Sequence, residues 1–291
     1  MTDTLPDVGT ALDELVDLLD LEKIEENIFR GRQPDEDRQR VFGGQVAGQA
    51  LVAATRTVER ERQVHSLHAY FLRPGDPSIP ILYEVDRIRD GRSFTTRRVV
   101  AVQHGRAIFN LAASFQVAEE GLDFSVDLPD APSPESLPTF KERYADYADQ
   151  MGDWYHRPRP IDMRYVDAPL PDSEPSRSPQ VSQRVWMRAD GTLSDDLTLH
   201  ACIVTYASDM TLLDTTLLPH RLRWSEDAIQ MASLDHAMWF HRPFRADEWL
   251  LYVQDTPSTS GSRGLARGSI FTRDGSIAVS VVQEGLIRKV R

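Results

Sequence analysis

Phe42-Gly43-Gly44-Gln45-Val46-Ala47-Gly48-Gln49-Ala50-Leu51-Val52-Ala53-Ala54 is the stretch on which the fold turns. It is apolar on most sides and built from small residues, so it reads as a helix, Phe42 to Val58, buried on every face. The glycines lower helix propensity but allow another backbone to come close. An amphipathic helix, Leu12 to Leu21, precedes it. Four β-branched and aromatic runs follow, 64–72, 80–89, 93–103 and 106–117, with turns at Asp90-Gly91 and His104-Gly105. A helix that apolar needs its own sheet wrapped around it.

The same order returns further along the chain. A strand and turn, Arg184 to Gly191, precedes a largely apolar helix, Leu197 to Leu213, capped by Ser194 or Asp195. Strand-like runs 232–241, 248–256, 262–273 and 276–288 come next. Phe71-Leu72-Arg73-Pro74 matches Phe240-His241-Arg242-Pro243 at an offset of 169, and His104-Gly105 matches Asp274-Gly275 at 170. A nearly constant offset points to an internal duplication. Between the halves, residues 119–180 hold ten of the chain's eighteen prolines, with acidic and serine-rich stretches, and read as a connector. Within it, Phe140 to Tyr155 has the pattern of a short helix. The expected fold is α+β, a double hot dog: residues 1–118, a proline-rich linker 119–157, and residues 158–291. Two unrelated α+β domains are the plainer alternative.

The formal charge of −12 argues against a nucleic-acid partner and against binding to an anionic membrane surface. No apolar run reaches the length of a membrane span. The first residues lack the basic and apolar regions of a secretory signal, and the last are not a peroxisomal address. The expected location is cytoplasmic. A single cysteine, Cys202, excludes an internal disulfide framework. Inside an apolar helix with no adjacent base, it reads as a core residue rather than a nucleophile. There is no G-x-S-x-G elbow, no P-loop and no dinucleotide fingerprint. His236 and His241 lack metal-ligand spacing, so neither metal nor cofactor is expected.

Three polar residues stand in apolar company. Asp209 interrupts the helix Leu197–Leu213. A carboxylate there is costly unless paired or used, and the helix C-terminal end disfavours its charge, which suits a general base. An acid emerging into solvent at the helix end is the other reading. Gln283 shares a strand face with Ile277, Val279 and Val281, where an amide either holds a reacting group or serves the core. Ser233 opens a strand and is either a hydroxyl of the site or an edge serine. Alternation puts Asp235 on the same face as Ser233 and turns His236 away, which makes Asp235 a competing acid. At the duplication offsets Gln283 corresponds to Ala113 and Ser233 to Val64, and the first-half helix has no Asp or Glu. The polar set belongs to one half.

The same residues carry a family resemblance. Val41 to Ala50, Val64 to Asp76, Tyr206-Ala207-Ser208-Asp209, Leu234 to Phe244 and Val282-Gln283-Glu284-Gly285 resemble the acyl-CoA thioesterase II (TesB-like) family of double hot-dog enzymes. The likeness runs from about Ile28 to Arg288. It implies hydrolysis of acyl-CoA by a water bound to Asp209, Ser233 and Gln283, with Ser233 standing where bacterial members often carry Thr. It also implies self-association into a homo-oligomer. Two rivals accompany this expectation: an enoyl-CoA hydratase using Asp235 and His236 as its acid–base couple, and a non-catalytic acyl-CoA-binding protein.

Overall fold

A computed structural model describes residues 10–34, 39–167, 182–222 and 229–290. In chain order the elements are α1 (Ala11–Leu19), β1 (Glu22–Glu25), β2 (Ile28–Gly31), α2 (Gly43–Thr55), β3 (Arg62–Phe71), β4 (Ile81–Asp90), β5 (Phe94–Gln103) and β6 (Arg106–Val117). Three single helical turns follow, α3 (Phe140–Arg143), α4 (Ala148–Met151) and α5 (Asp153–His156). The rest are β7 (Ile161–Tyr165), β8 (Ser182–Ala189), α6 (Leu197–Ser208), β9 (Ile229–Ser233), β10 (Asp235–Phe240), β11 (Leu250–Ser260), β12 (Arg263–Thr272) and β13 (Ile277–Lys289). A 3₁₀ segment, Leu213–His220, lies between α6 and β9. No helix among the described residues is long and apolar enough to cross a membrane.

All strands belong to one antiparallel sheet in the order β1-β2-β4-β5-β6-β3-β10-β13-β12-β11-β8-β7, with β9 added on β13. Read inward from each end, the order is β1-β2-β4-β5-β6-β3 on one side and β7-β8-β11-β12-β13-β10 on the other. The two sides match strand for strand and meet where β3 pairs with β10, Leu67 opposite Met238. One nearly all-buried helix serves each side, α2 on the first and α6 on the second. This is the expected wrapped arrangement.

The two helices pack antiparallel at the centre. A Cβ on Gly44 would fall inside van der Waals contact of the Tyr206 carbonyl oxygen, and one on Gly48 would lie 3.3 Å from the Cys202 carbonyl oxygen. The small residues of α2 therefore set how closely the helices approach. Cys202 is fully buried, and burial pushes its thiol pKa up, as expected of a core residue.

Several expectations need correction. The helix written as Leu197–Leu213 stops at Ser208, with Asp209 as its C-cap at φ −86° and ψ −2°. The run 232–241 is not one strand. Ser233 pairs with Gly285 on β13, whereas Ala237 pairs with Val282, so one residue is gained at Leu234. That bulge reverses the alternation beyond it. Ile277 does not share the core face of Val279 and Val281; it packs with Trp186, Trp249, Leu251 and Phe271 on the other side of the sheet. The helix expected over Phe140 to Tyr155 is three separate turns, parted by Tyr144 outside helical geometry and by Gly152 at φ +53°.

The proline-rich stretch is more than a connector. Leu128, Ala131 and Leu137 cover the second apolar cluster. Trp186 Nε1 donates to the Pro132 carbonyl at 2.9 Å, Arg184 Nη1 to Asp130 O at 2.7 Å, and Arg164 Nη1 to Leu137 O at 3.2 Å. Arg273 pairs with Glu135 at 2.7 Å. Proline-rich backbone cannot join a ladder, so side chains of the sheet satisfy its carbonyls instead.

Candidate active site

The end of α6 carries Asp209 to the point where β9, β13 and the first turn of α2 meet. β13 supplies Gln283, fully buried because alternation aims it at the helix with Val279 and Val281. β9 supplies Ser233, turned inward because the bulge lies after it. Gln283 Nε2 donates to Asp209 Oδ1 at 2.6 Å, and Ser233 Oγ donates to the same oxygen at 3.2 Å. The three residues singled out in the sequence thus converge. The first-half counterparts of Ser233 and Gln283, Val64 and Ala113, are buried and apolar.

A fourth contribution comes from the other half. The Gly44 backbone amide favours the charged Asp209 carboxylate, and a Cβ on Gly43 would stand 2.6 Å from Asp209 Oδ2. Helix α2 has no side-chain cap at Phe42, so its first N–H groups are open to a polar partner. The antiparallel packing of α2 on α6 brings that positive helix end to the acid. Nothing in the local pattern around Gly43-Gly44 announced this role. The signal was the glycine pair itself, which marks a close approach.

Burial pushes the Asp209 pKa up to about 6 against hydrogen bonds from Gln283, Ser233 and Gly44 and the charge of Arg40. A carboxyl at that value is ionised near neutrality and still basic enough to take a proton. Gln283 Oε1 is buried and has no hydrogen-bond partner among the described residues. Asp214, in the 3₁₀ segment, is a second acid that sequence reading missed; burial, reinforced by the charge of Asp209, raises its pKa to about 7.

The competing pair is separated. Asp235 Oδ1 accepts the Glu284 backbone N–H at 2.6 Å, so it serves the bulge. His236, expected to point away from the face of Ser233, instead turns inward, and its Nε2 lies 2.8 Å from Ser208 Oγ. The extra residue at Leu234 is the reason. Burial depresses the His236 pKa to about 4, so the ring is neutral. Among the described residues no three His, Cys, Asp or Glu side chains gather as metal ligands would.

Comparison with known proteins finds relatives along both halves of the chain. Residues 33–116 match the family model of the acyl-CoA thioesterase N-terminal domain, and residues 172–286 match that of acyl-CoA thioesterase. Human acyl-coenzyme A thioesterase 8 is 42% identical, covering 93% of this chain and 88% of its own. Acyl-CoA thioesterase 2 of Haemophilus influenzae is 37% identical, over 95% and 98% of the two chains. The crystal structure of acyl-CoA thioesterase II TesB2 from Mycobacterium marinum superposes with a TM-score of 0.79 at 46% identity, covering 95% of this chain and 98% of that one. A hot-dog protein from Alicyclobacillus acidocaldarius, at 19% identity, shares the fold with a TM-score of 0.77. With its halves matching the two family models and its length matched by these relatives, the chain belongs to the acyl-CoA thioesterase family.

Proposed function

We propose that this chain hydrolyses acyl-CoA thioesters by direct attack of a water held among Asp209, Ser233 and Gln283. The observation that carries the reading is the convergence of an amide and a hydroxyl on one buried carboxylate oxygen, with the amide's own oxygen unpaired among the described residues and able to accept from water. Asp209 takes a proton from the water as its oxygen bonds to the thioester carbonyl carbon. The carbonyl becomes an oxyanion, and the uncapped first turn of α2 beside Asp209 supports its stabilisation by backbone N–H groups other than that of Gly44; one such donor contributes about 2.7–4 kcal/mol in known cases. The tetrahedral species then expels the coenzyme A thiolate, a good leaving group, and the proton on Asp209 returns to sulfur. Free acid and free thiol result.

A covalent acyl-enzyme is disfavoured. Ser233 hydrogen-bonds to the carboxylate but sits on an ordinary strand without a strained elbow. Cys202 is buried, with its thiol pKa raised. Rapid mixing with an acyl-CoA, coupled to mass measurement of quenched protein, tests the step. Steady thiol release with no acyl adduct is expected. A stoichiometric burst with an adduct on Asp209 or Ser233 would refute it. The hydratase reading loses its acid–base couple, since Asp235 holds a backbone N–H and His236 faces Ser208; crotonyl-CoA should yield free thiol and no hydrated product. The non-catalytic reading would require intact acyl-CoA after incubation.

The same proposal includes a cytoplasmic homo-oligomer. The outer sheet face of the first half supports self-association, because Tyr70, Leu82 and Phe94 are exposed there. Sedimentation at several protein concentrations measures it, and a strict monomer would remove that part.

A further inference from the structure

Acyl-CoA carries a phosphorylated nucleotide at the far end of its pantetheine arm, and the proposed chemistry leaves that end unplaced. A cleft of about 790 Å³ opens where β9 and the β11–β12 hairpin meet the end of β13. Arg263, Arg288 and Lys289 line it, together with the hydroxyl residues Thr259, Ser260 and Ser262, and among the described residues no Asp or Glu lines it. On a chain with a formal charge of −12 this is a local reversal of sign. Arg263 pairs with Glu284 at 3.0 Å on one side. No carboxylate among the described residues pairs with Arg288 or Lys289.

The cleft is tied to the site by two strands. Ser233 pairs with Gly285, and Gln230, which lines the cleft, pairs with Arg288. From Gln283 to Lys289, which alternation puts on the same face, is six strand residues, roughly 20 Å at the usual rise. An extended phosphopantetheine arm spans a length of that order, and Arg288 reaches the cleft from the other face at the strand's end. Arg40 marks the path between them: its Nη2 donates to Met231 O at 2.8 Å, and its charge acts on Asp209.

We propose that this cleft binds the phosphate groups of the coenzyme A nucleotide, with Arg288 and Lys289 as their principal partners. The proposal rests on the acyl-CoA reading above. Guanidinium and ammonium groups with flanking hydroxyls offer charge-assisted hydrogen bonds to phosphate oxygens. The cleft's distance from Asp209 lets it act on substrate capture rather than on the attacking water.

The test compares acyl-CoA with the matching acyl-pantetheine, which keeps the thioester and lacks the nucleotide, on wild type and on the double variant Arg288→Glu/Lys289→Glu. Both side chains are exposed, and an unchanged melting temperature verifies folding. The preference for acyl-CoA over acyl-pantetheine in kcat/KM should fall at least about tenfold, the effect of losing one charge-assisted contact, and should do so through KM. Binding of adenosine 3′,5′-bisphosphate, measured by calorimetry, should weaken by a similar factor. An unchanged preference, or wild-type affinity for the bisphosphate in the variant, would overturn the proposal. A wild-type protein that releases thiol from neither substrate would instead overturn the hydrolase reading, while the calorimetric arm still decides the cleft.

Discussion

Gln283 reaches Asp209 from the opposite side of the helix–sheet layer and binds Oδ1 over 2.6 Å, so the acid cannot turn without breaking a buried hydrogen bond. A buried amide that loses its acceptor incurs a desolvation cost of about 1–3 kcal/mol. The pair therefore holds the proposed base in one orientation before any substrate arrives, which is where much of the rate of a positioned base originates.

That arrangement ranks the substitutions. Asp209→Ala removes the base and should lower kcat by about 10²–10⁴-fold. Gln283→Ala leaves a base that is free to turn and should cost less. Ser233→Ala should cost least, because its 3.2 Å contact is the longer of the two to Oδ1. Ser233→Thr keeps the hydroxyl and should stay near wild type. Steady-state kinetics with one acyl-CoA checks the order, and an Asp209→Ala variant with wild-type kcat would end the assignment.

The pH dependence has a definite sign. The proposed mechanism needs the Asp209 carboxylate, so kcat should fall as pH drops through about 6. The inflection should persist in Asp214→Asn, although Asp214 titrates near 7, and should disappear in Asp209→Asn. Stability runs the other way. The folded pKa of Asp209 lies above its ordinary value, so the native state holds that proton more tightly, and this contribution is lost as pH rises through about 6. Relative to wild type, Asp209→Asn should be more favourable at pH 8 than at pH 5, read from thermal melts at both.

Gly43→Ala should separate activity from folding. Its Cβ would press on Asp209 Oδ2 at 2.6 Å and on the edge of the Phe71 ring at 2.9 Å. Side chains can yield there, so the protein should fold, but the carboxylate must move. A displacement of this kind costs roughly 10²-fold in kcat. Gly44→Ala meets the Tyr206 backbone instead and should reduce the yield of folded protein. Kinetics of the first variant and solubility of the second decide the point; a Gly43→Ala enzyme working at full rate would contradict it.

Trp186→Ala should loosen the proline-rich segment. It removes the hydrogen bond to Pro132 and opens the cluster under Leu128, Ala131 and Leu137. Loss of a large buried aromatic costs about 3–5 kcal/mol. Denaturant unfolding should show that loss, together with faster protease cleavage between residues 119 and 138. Equal cleavage rates would mean the segment is held by something else.

The two wrapped helices and the face of Gln283 were legible in the sequence because periodicity is a local signal. Asp209 was legible as a charge inside an apolar run. The orientation of His236 was not, since one extra residue at Leu234 inverts every later position and leaves no local mark. The part played by Gly43 and Gly44 depends on which carboxylate another helix brings, and that is a fact of tertiary packing. The covering role of residues 119–138 was hidden because proline-rich composition reads the same whether the chain is docked or free. Asp214 escaped notice because the helix was expected to end one residue before it; a 3₁₀ turn buries the acid instead.

Gly43 and Gly44 belong to a helix with no acid of its own, yet they close on the acid of the other. The proposed hydrolytic centre is therefore shared property. If the chain were cut within residues 119–138, the later fragment would keep Asp209, Ser233 and Gln283 but lose the N–H groups and the small-residue surface that fit against them. The earlier fragment would keep a polar socket with nothing to fill it. A side chain at either glycine would therefore disturb the proposed centre as directly as a change in the carboxylate itself.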